Sequence, residues 1–74
     1  MAEMNAGKAV LELLRAEGVE YIFGVTGLTT NSMVTETFGR EDIKFIDARH
    51  EEGAALMAYG YAKASGKPVA CMTT

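Results

Sequence analysis

The chain has 74 residues, of which 49% are hydrophobic and 23% charged, and its formal net charge is −3 at pH 7. This is globular composition for one small domain at most, burying only about 60% of the surface that the unfolded chain exposes. One cysteine and one histidine exclude a disulfide scaffold and leave too few soft ligands for a structural zinc site.

Lysine and arginine are scattered under a negative net charge, which argues against nucleic acid as a partner. The apolar runs are only a few residues long, so no membrane span is expected. The N-terminus, Met1-Ala2-Glu3-Met4-Asn5, carries an acid early and lacks the apolar core of a signal peptide. A reducing, cytoplasmic setting follows as the expectation.

Taken in chain order, Asn5 to Ala16 reads as a helix. Ala6, Val10, Leu13, Leu14 and Glu17 recur at helical spacing, Asn5 is the expected N-cap, and Gly18 suits the left-handed position just past the end. Val19 to Val25 is short and rich in β-branched and aromatic residues, the pattern of a buried strand. Thr29, Thr30, Asn31 and Ser32 offer N-caps for a short helix running towards Phe38 and stopped by Gly39. A second strand is expected over Lys44 to Asp47. A third, alanine-rich helix runs from Glu51 to Ser65 and closes at Gly66, with Pro68 two residues on. Val69 to Met72 completes the set as a third strand. Alternating helices and strands with short connections imply an α/β fold, a parallel sheet flanked by helices.

In such a sheet, ligands bind beyond the carboxyl ends of the strands. Those ends are Thr26-Gly27-Leu28, Arg49-His50-Glu51-Glu52 and Thr73-Thr74, so three separate segments are expected to meet at one edge. Adjacent Glu51 and Glu52 point roughly 100° apart on a helix and cannot form a catalytic pair. An acid in a first helical turn also has an ordinary role, a favourable interaction with the helix dipole. Arg49 and His50 could join these acids in a surface ion cluster. His50 lacks a partnering serine or cysteine for a triad, and Cys71, in a strand, reads as a small core residue. Gly24, Gly27 and Gly39 do not follow the dinucleotide-binding or P-loop spacing. The methionines read as core filler, and the tyrosines as core or interface. Gly53 and Gly60, inside the third helix, each cost about 0.5–1 kcal/mol relative to alanine. Close approach of another backbone is the natural reason, from either this chain's own sheet or a second subunit.

Two runs carry a resemblance. Ala9-Val10-Leu11-Glu12-Leu13-Leu14-Arg15-Ala16-Glu17-Gly18-Val19-Glu20-Tyr21-Ile22-Phe23-Gly24-Val25 resembles the opening of thiamine-diphosphate enzymes of the acetolactate synthase and benzoylformate decarboxylase type. Arg49-His50-Glu51-Glu52-Gly53-Ala54-Ala55, followed by Met57-Ala58, Gly60-Tyr61-Ala62 and Ser65-Gly66-Lys67-Pro68, is similar to the same family more specifically. The family pattern there is Arg-His-Glu-Gln-Gly-Ala-Ala and then Gly-Tyr-Ala-Arg-Ala-Thr-Gly-Lys-Pro.

The resemblance implies a thiamine-diphosphate-binding fold present only in part. Residues 1–74 would form the N-terminal portion of a pyrimidine-binding domain, with the diphosphate-binding domain and its Mg²⁺ outside this chain. It places the family's catalytic glutamate on Glu51, hydrogen-bonded to N1′ of the cofactor's aminopyrimidine so that a ylide forms at thiazolium C2 and attacks the substrate carbonyl. A shielded carboxyl group suits that role, and alanine-rich surroundings would desolvate it. Gly24-Val25-Thr26-Gly27-Leu28 is similar to the family's Gly-x-Pro-Gly-Gly loop, which puts Thr26 and Gly27 at the pyrimidine; Thr26 replaces the proline, and Leu28 a glycine or small polar residue. The resemblance implies no metal ligand in this chain and a small 2-oxo acid or related carbonyl compound as substrate. It also implies a homodimer or homotetramer with the site between subunits.

Two other readings use the same residues. One is a fragment or binding module that keeps the fold without turnover. The other is a doubly wound domain binding an anion at the Glu51 helix N-terminus, which two acids there would repel.

Overall fold

The computed structural model describes residues 6–27 and 31–73. Its elements in chain order are α1 (Ala6–Ala16), β1 (Tyr21–Gly24), α2 (Asn31–Glu36), β2 (Lys44–Asp47), α3 (Glu51–Ser65) and β3 (Ala70–Met72). The three strands are parallel in the order β2-β1-β3, which makes β1 the centre of the sheet. Parallel strands and flanking helices bear out the fold expected from the alternating pattern.

Residues paired across parallel strands share a face of the sheet. Ile22 pairs with Phe45 on one side and Ala70 on the other, and these belong to the main core with Leu11, Leu14, Val19, Met33, Val34, Ile43 and Met72. α1 and α2 pack against each other and supply the helical part of that core. The opposite face presents Tyr21 and Phe23, which meet Tyr61 of α3 at ring separations of 5.3 and 6.0 Å. Helices therefore cover both faces, as a parallel sheet requires.

The left-handed positions fall where helices end. Gly18, at φ 90°, lets the Val19 amide donate back to the Leu14 carbonyl at 3.0 Å. Gly66, at φ 71°, closes α3 with its own amide donating to Ala62 O at 2.9 Å. Both are the C-terminal solution that glycine makes inexpensive.

Several expectations need correction. The apolar stripe read for α1 is only in part its buried face: Leu14 packs against the core, but Val10 and Leu13 are exposed, while Gly7 and Leu11 are buried. The reason is a close helix–helix approach, since a Cβ at Gly7 would lie 2.8 Å from the Met33 amide nitrogen. Asn31 and Ser32 stand inside α2 and do not cap it. Asn5, Leu28, Thr29, Thr30 and Thr74 lie outside the described residues. β1 is shorter than expected, with Val19 buried ahead of it. Cys71 is exposed and not in the core, because it alternates with Ala70 and Met72 on an edge strand. Tyr59 and Met57 are likewise exposed. No helix among the described residues is long and apolar enough to cross a membrane.

Candidate functional site

Strand register builds the site. Gly24 is aligned with Asp47 of β2 and with Met72 of β3, so the three strands finish level. Bonds carry the alignment slightly further: Ala48 N donates to Gly24 O at 2.8 Å, and Val25 N donates to Met72 O at 3.3 Å. The chain then leaves this row along Val25-Thr26-Gly27 from β1, along Ala48-Arg49-His50 into α3 from β2, and through Thr73 from β3. β1 is followed by a neighbour on one side and the next strand crosses to its other side. That reversal of direction opens a crevice at the carboxyl end of β1.

The three residues singled out from the sequence reach this edge. Thr26 is exposed and Gly27 half-buried, two and three residues past the end of β1. Glu51 is the first residue of α3, four past the end of β2. His50 occupies the N-cap with extended backbone and makes no side-chain capping bond. Its carbonyl accepts from Ala54 N at 3.0 Å, the first rung of the helix.

The expected desolvation of Glu51 is not supplied by this chain, where Glu51 is exposed. Alanine is small, and the buried alanines, Ala54 and Ala58, face the sheet. Nor does an ion pair join Arg49 or His50 to Glu51 or Glu52 among the described residues; an ion-pair network lies instead around Arg40, Asp42, Arg15 and Glu12. Among the described residues no group of three His, Cys, Asp or Glu side chains is placed to hold a metal ion.

Two features of this edge escaped sequence reasoning. An alanine at Gly24 would drive its Cβ into the Met72 carbonyl oxygen, so the strand-end row is built on a backbone contact that only glycine permits. The short β-branched context of Gly24 was visible, but the neighbour was not. The second feature is an open groove of about 540 Å³ lined by Asp47, Arg49, His50, Glu52, Leu56 and Met57, among others. Its apolar part comes from the outward side of α3. Glu51 does not line it; Glu52 does.

Gly53 and Gly60 also resolve one choice left open by the sequence. A Cβ at either would meet nothing within 4 Å, so neither glycine is needed for packing within this chain.

Against known proteins, the family model described as "Thiamine pyrophosphate enzyme, N-terminal TPP binding domain" matches residues 4–74. A Bacillus subtilis (strain 168) protein, YdaP, named for containing thiamine pyrophosphate, is 42% identical over 99% of this chain and 13% of its own length. A Pseudomonas aeruginosa protein named as a 2-ketoarginine decarboxylase is 41% identical over 92% of this chain and 12% of its own length. The acetolactate synthase isozyme 2 large subunit of Escherichia coli (strain K12) is 37% identical over 96% of this chain and 13% of its own length. The chain thus spans about one-eighth of these relatives. No solved structure matches it significantly.

Proposed function

Because the chain belongs to the thiamine pyrophosphate enzyme family, matching its N-terminal TPP-binding domain, we propose that it is the N-terminal portion of the pyrimidine-binding domain of a thiamine-diphosphate-dependent enzyme. The whole enzyme would break or form a carbon–carbon bond beside a carbonyl, by decarboxylation, carboligation or acyl transfer on 2-oxo acids or related compounds. The relatives named as a 2-ketoarginine decarboxylase and an acetolactate synthase support that range.

One observation carries the reading: a carboxylate at the first position of α3 stands at the same sheet edge as the glycine-bearing end of β1. The residues fit the aminopyrimidine. Gly27 has no side chain to hold a flat ring away from the backbone, and Thr26 offers a hydroxyl beside it. Glu51 would hold a proton against the ring nitrogen N1′. When bound, the cofactor supplies a nucleophilic carbon for the substrate carbonyl and accepts the electron pair left there.

Proton sharing needs a carboxyl group protected from water, and Glu51 is exposed in the single chain. Another protein surface must cover it. This supports a homodimer or homotetramer with the site between subunits, the diphosphate and its Mg²⁺ being held by a domain outside these 74 residues. The protein would work in the cytoplasm.

Calorimetry of the full-length protein with thiamine diphosphate and Mg²⁺ tests the reading, and saturable binding is expected. Glu51→Gln should keep binding while slowing exchange of the cofactor's C2 proton by about 10²-fold or more. Unchanged exchange would remove Glu51 from the role. Absence of saturable binding would leave a non-catalytic module that retains the fold.

A further inference from the structure

We draw no further inference here: the strongest candidate, the open groove that Asp47, Arg49, His50, Glu52, Leu56 and Met57 line on the outward side of α3, carries nothing, because nothing in the structure shows what covers it.

Discussion

Gly24 and Met72 sit side by side at the carboxyl ends of β1 and β3, and no side-chain atom fits between them. A Cβ on Gly24 would overlap the Met72 carbonyl oxygen and stand 3.2 Å from both the Met72 carbonyl carbon and its Cβ. The same oxygen accepts the Val25 amide, so it cannot simply swing away. Gly24→Ala should therefore destabilise the fold by about 3 kcal/mol, the scale of overpacking against an unyielding neighbour. Chemical denaturation should show a fall in midpoint, and cofactor binding should fall with it, since Thr26 and Gly27 leave from this row.

The opposite result is expected at Gly53 and Gly60. Neither has a positive φ, and an added methyl group meets no atom of this chain. Alanine removes the entropic cost of glycine in a helix, so each substitution should stabilise the monomer by about 0.5–1 kcal/mol. Thermal unfolding at high dilution checks this. If α3 packs closely on a second subunit, the same substitutions should weaken association, so the two measurements move in opposite directions.

Local signals were readable in the sequence where one segment decides its own conformation. Lys44–Asp47 and Glu51–Ser65 follow from composition and from Gly66 with Pro68, and the structure has them with those bounds. The alternation of elements then gives parallel strands and the edge where Thr26, Gly27 and Glu51 lie. Facts that depend on a neighbour distant in sequence were not readable. The buried side of α1 is set by how closely Gly7 approaches the α2 backbone, which no periodicity within α1 records. The exposure of Cys71 depends on β3 lying at the edge, and strand order is a property of the whole sheet. The environment of Glu51 belongs to the same class: a sequence of alanines does not say whether they cover the carboxylate or turn from it.

Away from the site, Arg40 ties the loop before β2 to α1. It donates to Asp42 from Nε at 2.9 Å and from a terminal nitrogen at 2.7 Å, and to Glu12 at 3.1 Å. The hydrogen bond from Arg40 holds the Asp42 carboxyl below its ordinary value of 3.8, its charge and that of Arg15 acting in the same direction. A folded-state value below the unfolded one means the unfolded chain binds the proton more readily. The contribution to stability is then present in full above the ordinary carboxylate range and is lost as pH falls through the lowered folded-state value. Asp42→Asn should flatten the acid limb of a stability–pH curve below about pH 4. Added salt should reduce the difference between the two proteins, because these groups are partly exposed.

Leu11 and Leu13 give the sharpest check on the packing of α1. They are two residues apart on one helix, which places them roughly 200° apart around its axis. Leu11 is fully buried and belongs to the core beneath the sheet, whereas Leu13 is 68% exposed. Leu11→Ala leaves a cavity among Val19, Ile22, Val34 and Ile43 and should cost about 3 kcal/mol, the middle of the range for a buried leucine. Leu13→Ala removes a side chain that water already surrounds and should change stability by less than about 0.5 kcal/mol. In a unit of this size the first loss is a large part of the total stability. Thermal melts followed by circular dichroism should therefore show Leu11→Ala unfolded or nearly so at temperatures where Leu13→Ala keeps its helix signal. Equal losses at the two positions would mean that α1 is rotated about its axis from the arrangement described, with Gly7 no longer against Met33.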